Sequence, residues 1–227
     1  MDVDGLLAVD CSLRLTGVAL AAGGKAVVSE TRDLGRRQSA ELPLVVERLL
    51  KDAGWTWGYV RRVAVTSGPG YFTGIRVGAA YALALAYGLG VPLVPVPSLE
   101  LLALSRPDGT RDGGVLVLVY AGRGAVYAAS FGAGPVGNPL RGPDLPQGEY
   151  GAEAVAAWLG AHPGVSVISD DPARALGAIG PLPAGASGPE LSVTQVRPDA
   201  ARLAEAAWGR PSISPAELRI TYCRAPL

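Results

Sequence analysis

Short apolar or alternating runs at residues 6–10, 16–20 and 25–29 are separated by turn-forming stretches such as Gly23-Gly24, which predicts a three-strand meander. Apolar Leu42, Val45, Val46, Leu49 and Leu50 then recur at the spacing of one helical face. They predict an amphipathic helix over 39–53, with Ser39 as N-cap, Pro43 in or next to the first turn and Gly54 as the stop. A strand at 63–67, a helix at 73–87 and a strand at 91–96 follow, the last carrying prolines that suit a sheet edge. The order is β-β-β-α-β-α-β. After a charged, Gly-containing break at 105–114 it restarts more loosely, with strands at 115–120 and 125–131, a helix at 152–159, a strand at 165–169 and a late helix at 199–208. The fold class is α/β, with two related halves at 1–105 and 106–227, the second diluted by Gly and Pro.

Composition narrows the functional classes. An apolar share of 49% in 227 residues fits a folded chain of one compact domain or two smaller halves. Lys+Arg and Asp+Glu balance at 20 each, so no global positive field draws the protein onto phosphate backbones or acidic membranes. Cys11 and Cys223 stand near opposite ends of a chain too large to need a disulfide framework, and the start is acidic where a secretory signal is basic. A reduced, cytoplasmic protein is expected. Residues 77–99 are uncharged and long enough to cross a bilayer, which takes about 20 apolar residues. Gly88, Gly90, Pro92, Pro95 and Pro97 would break such a helix and predict helix stop, turn and strand instead.

Two segments could carry chemistry. Asp10-Cys11-Ser12, at the end of the first strand, offers a carboxylate and a hydroxyl for a metal or phosphate, or for capping a turn. Gly68-Pro69-Gly70-Tyr71-Phe72-Thr73-Gly74 lies between a strand and a helix, where amides and the helix dipole hold anions. It lacks the Lys and Ser/Thr that end a P-loop, and its glycines equally suit a tight turn. Asp10, Ser12, Gly68, Gly70, Thr73 and Gly74 are thus a weak candidate nucleotide or phosphate loop. An absence weighs against catalysis: no Asp or Glu occurs from Gly113 to Gly142, where a two-halved ATP-metal enzyme needs acidic groups from its second side. That side offers Tyr120, Arg123 and Tyr127. His162, the single histidine, precedes Pro163 in an expected surface turn, and no His pair exists to bind a transition metal.

The helix over 73–87 has Arg76 as its one charge and is otherwise apolar all round, with Gly78, Ala79, Ala80, Ala82, Ala84 and Ala86 small. Such a helix must be covered on every side, by the chain's own core or by another protein. Beside it lies the 39–53 helix. Arg36-Arg37 and Arg61-Arg62 could meet RNA or stand as solvated charges; without interleaved aromatics they form no base-stacking platform.

Residues 7–12 (Leu-Ala-Val-Asp-Cys-Ser), 68–76 (Gly-Pro-Gly-Tyr-Phe-Thr-Gly-Ile-Arg) and 96–100 (Val-Pro-Ser-Leu-Glu) together resemble the bacterial TsaB (YeaZ) family in order and spacing. The Arg123 to Tyr127 hairpin and Tyr222-Cys223-Arg224 look like further family landmarks. Cys11 stands where that family usually has Thr and Tyr71 where it has Ser, and Tyr120-Ala121-Gly122-Arg123 replaces an Asp-containing pattern; the last of these changes removes acidic groups from the nucleotide side. The resemblance implies an actin/Hsp70-like (ASKHA) fold of two RNase H-like halves. It implies a non-catalytic subunit without cofactor or metal, pairing with the TsaD transferase through helices of the first half, joined by the ATPase TsaE and reaching tRNA indirectly. The product is N6-threonylcarbamoyladenosine beside the anticodon. TsaD carries a His-containing metal motif on the corresponding helix, where this chain has Gln38 and no His. The residues assigned to the partner surface are Leu42, Val45, Val46, Leu49, Ile75, Arg76, Ala79, Ala80, Leu83, Ala84 and Tyr87, which could also serve a homodimer when the protein is alone. The rivals are an actin-like ATPase or kinase using Asp10 and the 68–74 loop, and a peptidase recruiting Ser12 and His162.

Overall fold

The computed structural model describes residues 4–107, 114–122, 124–132, 145–180 and 192–223. Two compact units are present, one formed by Met1–Leu101 with Pro198–Thr221, the other by Leu102–Arg197 with Tyr222–Leu227. In the first, strands β1 (Gly5–Asp10), β2 (Thr16–Ala22) and β3 (Lys25–Arg32) form the expected meander, followed by α1 (Gln38–Asp52), β4 (Val60–Thr66), α2 (Phe72–Leu89) and β5 (Leu93–Val96). The sheet order is β3-β2-β1-β4-β5. β1 runs antiparallel to β2 and parallel to β4, and β5 is parallel to β4. A short helix α3 (Ser98–Leu104), not expected from sequence, follows β5.

The second unit repeats this topology. β6 (Val115–Gly122), β7 (Ala125–Phe131), β8 (Gly148–Tyr150), α4 (Ala152–Ala161), β9 (Ser166–Ser169), α5 (Pro172–Ile179) and β10 (Val193–Gln195) form a sheet of order β10-β9-β6-β7-β8. The pairing senses match those of the first sheet strand for strand. Here β8, α5 and β10 were not legible in the sequence, because three-residue strands carry no period and Gly- and Pro-rich stretches surround them. Leu116, Leu118, Val126, Ala128, Val155 and Leu159 make this unit's core.

Both faces of the first sheet are covered, which is why β1 reads as an unbroken apolar run. Leu7, Val9, Val18, Leu20, Val63 and Val65 point to the side of α1 and α2. Their neighbours in sequence, Leu6, Ala8, Ala19, Ala21 and Ala64, point to the other. That second face is paved mostly with alanine, so a helix can lie close against it. It is filled by α6 (Ala200–Trp208), whose Ala200, Leu203, Ala204 and Ala207 are buried there. Arg62 fastens the end of α6: its guanidinium lies 4.6 Å from the Trp208 ring centroid and donates to the Trp208 carbonyl oxygen at 2.9 Å. Residues 198–221, expected with the second half, therefore belong to the first unit, because α6's apolar stripe matches the alanine face of that sheet. Arg62 accordingly is a fixing residue and not a solvated charge.

Other boundaries shift for local reasons. A 3₁₀ turn at Gly35–Arg37 leads into α1, so Arg37, not Ser39, is its N-cap. Pro43 falls inside the helix; the amide it lacks would have served the carbonyl of Ser39, which is exposed and can be hydrated. Along 77–99, α2 ends at Leu89, Gly90 takes a left-handed φ of 68°, and β5 follows. Phe72–Leu89 is long and apolar enough to cross a membrane by composition, but one of its faces is embedded on the first sheet.

Leu203 is fully buried between α6 and the sheet. Leu203→Ala is expected to lower unfolding free energy by about 2–5 kcal/mol, the usual cost of such a cavity, measured by denaturant titration.

Candidate functional site: a closed Asp10 corner and an open helix face

Asp10 ends β1 at the point where that strand lies between an antiparallel and a parallel neighbour. Only 1% of the residue is exposed. Its Oδ1 accepts from the Ser12 amide at 2.8 Å, the Ser12 hydroxyl at 2.7 Å and the Thr66 hydroxyl at 2.7 Å, while Oδ2 has no hydrogen-bond partner. Burial outweighs those hydrogen bonds and raises the carboxyl above its usual range. Burial, with Asp10 next to it, also pushes the Cys11 thiol up. Thr16, which bonds Cys11, accepts from Gln38 Nε2 at 2.8 Å, so Gln38 closes the start of α1 onto the same corner.

The 68–74 segment packs straight onto this turn. The Tyr71 amide donates to the Ser12 carbonyl oxygen at 2.7 Å, and the Gly68 amide donates to the Ser98 hydroxyl at 3.1 Å. A Cβ at Gly70 would overlap the Ser12 carbonyl oxygen, and one at Gly74 the Cys11 carbonyl oxygen. A Cβ at Gly78 would stand 3.2 Å from that of Cys11. These glycines are there for close approach of α2 to the β1 turn. Asp10, Ser12, Gly68, Gly70 and Gly74 are thus brought together as expected, but as a packed joint in which two loop amides are already committed. Thr73, the remaining member, is exposed on the outer side of α2.

The outer face of α2 is the open feature. Thr73, Arg76, Ala80, Ala84 and Tyr87 are exposed at helical spacing, with Leu83 half-buried between them. Arg76 lies over the Phe72 ring, 3.8 Å from its centroid. Between α1 and α2 runs a groove of about 570 Å³ lined by Ser39, Leu42, Phe72, Thr73, Arg76, Val77, Ala80 and Tyr81. Burial, reinforced by Glu47, pushes the Tyr81 phenol up to about 12. The residues assigned from sequence to a partner surface therefore divide. Leu42, Val45, Val46, Leu49, Ile75 and Ala79 are buried in the chain's own core, since a helix on a sheet spends its strongest apolar stripe inward. Arg76, Ala80, Ala84 and Tyr87 face outward. Sequence reasoning missed Leu44, 61% exposed, and Phe72, 56% exposed. The signal for Leu44 was present, because it breaks the period set by Leu42, Val45 and Val46.

In the second unit, Tyr120 lies under the Arg174 guanidinium at 4.1 Å, and Tyr127 is buried. Arg123 and Arg224 lie outside the described residues. His162 lies in the expected surface turn after α4, where it caps the helix, stacks on Trp158 at 4.0 Å and contacts the Trp158 carbonyl oxygen through Nδ1 at 2.8 Å. It belongs to the second unit and Ser12 to the first. Among the described residues no cluster of three or more His, Cys, Asp or Glu is placed to hold a metal.

The family described as TsaD, tRNA N6-adenosine threonylcarbamoyltransferase, matches residues 32–134. The tRNA threonylcarbamoyladenosine biosynthesis protein TsaB of Bacillus subtilis is 31% identical over 127 residues, 56% of this chain and 54% of that protein. Its Haemophilus influenzae namesake is 32% identical over 124 residues, 54% and 51% of the two chains. The chain thus aligns with about half the length of the curated relatives it matches. A Pseudomonas aeruginosa structure described as similar to the peptidase YeaZ superposes with a TM-score of 0.81 over 97% of this chain and 100% of that one, at 24% identity. Two units of one repeated topology, each a mixed sheet flanked by helices, define the class: an actin/Hsp70-like (ASKHA) protein of two RNase H-like units. Within that class the chain is similar to TsaB (YeaZ) proteins, in sequence over about half of its length and in fold over nearly all of it.

Gly74→Ala is expected to destabilise the protein by about 1–3 kcal/mol, because backbone must shift to admit the methyl. Gly88 has open space around it. Gly88→Ala is expected to gain about 0.5–1 kcal/mol, and thermal unfolding of the pair separates close approach from helix propensity.

Proposed function

We propose that this chain acts in the biosynthesis of N6-threonylcarbamoyladenosine in tRNA as a partner subunit that pairs with a TsaD-type transferase through the outer face of α2. The observation that carries this is the exposed stripe of Thr73, Arg76, Ala80, Ala84 and Tyr87, flanked by Phe72 and the groove toward α1. Small residues there allow a partner helix to approach closely, and Tyr87, 64% exposed, and Phe72 supply the aromatic area on which interface energy concentrates. Similarity to the TsaB proteins of Bacillus subtilis and Haemophilus influenzae supports the pathway.

A non-catalytic role fits the Asp10 corner. An ATPase or kinase needs its first-strand carboxylate open to a metal, and Asp10 is enclosed with Oδ1 taken by three donors. The transferase chemistry then belongs to the partner, while this chain supports its position and the surface that a TsaE-type ATPase and tRNA use. Cytoplasmic location and self-pairing through the same face in the absence of the partner belong to this proposal.

Size-exclusion chromatography with light scattering, on this protein mixed with its host's TsaD, is expected to give a mixed complex. Ala80→Glu and Ala84→Arg place a charge on the contact face and should cost on the order of a few kcal/mol of pairing while leaving the melting temperature unchanged. Independent elution of the unmodified proteins across several salt and nucleotide conditions would sink the pairing; full pairing by both folded variants would move it to another surface.

A further inference from the structure

Asp10 is a buried acid for which a partner subunit has no obvious use. Three donors converge on Oδ1 and none reaches Oδ2; the donors favour the anion, but the buried, unpartnered Oδ2 opposes it, and burial is the larger effect. An anion would place charge on a bare, buried oxygen. Among the described residues no counter-charge acts on it. β4 presents Thr66, β2 presents Thr16 to Cys11, α2 presents Gly74 and Gly78, and the Cys11 thiol is the titratable group coupled to Asp10. No cation contributes to its shift, which is upward through burial.

The turn that Asp10 holds is the seat of α2. Ser12 gives its amide and hydroxyl to Asp10 and its carbonyl to the Tyr71 amide, and the Cys11 and Ser12 carbonyl oxygens lie where Cβ atoms on Gly74 and Gly70 would be. We propose that Asp10 works as an uncharged acid that positions α2, so that its ionisation unseats the helix that carries the docking face. The consequence for pairing rests on the function proposed above, but the device is internal to the chain and is tested on the isolated protein.

The sign follows from linkage. With the folded-state value raised, the Asp10 contribution is complete below the unfolded value near 3.8 and is lost as pH rises toward the folded value. In that window the opening constant of α2, read from hydrogen exchange of its amides and corrected for intrinsic rates, should rise about tenfold per pH unit relative to Asp10→Asn. Infrared spectroscopy, followed from acid pH upward, should show a protonated-carboxyl carbonyl band that persists above the ordinary carboxylate range and that Asp10→Asn lacks. Should Asp10→Asn fail to fold, Thr66→Val removes one donor from the carbonyl oxygen and should move the same band to higher frequency. No protonated-carboxyl band in the unmodified protein, a band that neither substitution alters, or an α2 pH slope unchanged in a folded Asp10→Asn overturns the proposal. Those outcomes leave TsaD pairing untouched, so failure here and failure of the docking assignment are distinguishable.

Discussion

The first unit depends on one contact, the seating of α2 directly on the backbone turn that ends β1. A helix flanking a sheet normally stands off by the length of its side chains. Here Gly70, Gly74 and Gly78 remove those side chains at three successive points, so the helix start meets the Cys11 and Ser12 backbone. Close approach forces the polar groups of the turn to be satisfied from within, and Ser12, Thr66, Ser98 and Asp10 do this. What resembles a ligand cradle in sequence is thereby a filled joint. The same glycines that could hold a phosphate also let two pieces of backbone touch, and buried partners decide between the two uses.

Seating the start of α2 this way leaves its far side unpartnered within the unit. Gly74, Ile75, Gly78, Ala79, Ala82 and Ala86 face inward. The middle of the outward stripe is Ala80 and Ala84, with Tyr87 at one end and, toward the other, Arg76, whose guanidinium lies over the Phe72 ring. An apolar helix with one covered side raises the same question as an exposed apolar patch. Its counterpart in the repeated topology, α5, is much shorter, at 8 residues against 18.

Much of the first unit was legible because its elements are long and periodic. The meander, α1, β4, α2 and β5 follow from alternation, from the Leu42-Val45-Val46-Leu49-Leu50 stripe and from Gly and Pro punctuation. The second unit's repeat was visible in outline, while β8, α5 and β10 were too short to carry a period. The return of 198–221 to the first unit was hidden for a different reason. It depends on the match between alanines on α6 and alanines on the far face of β1 and β2, and a stripe on one element does not name the surface that will receive it. Six of the eleven residues assigned to a partner surface are buried in the chain's own core for a related reason. Periodicity located the strongest apolar stripe of α1, and that stripe, once folded, belongs to the core.

The charge pattern of the corner separates structural from catalytic use of the same residue types. A catalytic carboxylate beside a nucleotide must remain ionised, which requires solvent, a cation or several backbone donors on both oxygens. Asp10 has one backbone amide and two hydroxyls, all on one oxygen. Cys11 beside it adds an unreactive thiol in place of a polar neighbour, buried and held protonated by its surroundings. Each of these choices lowers the polarity of the strand end and favours packing over ligand exchange. The carboxylate at the end of the first strand is taken up by internal hydrogen bonds to Ser12 and Thr66, in the turn on which α2 packs.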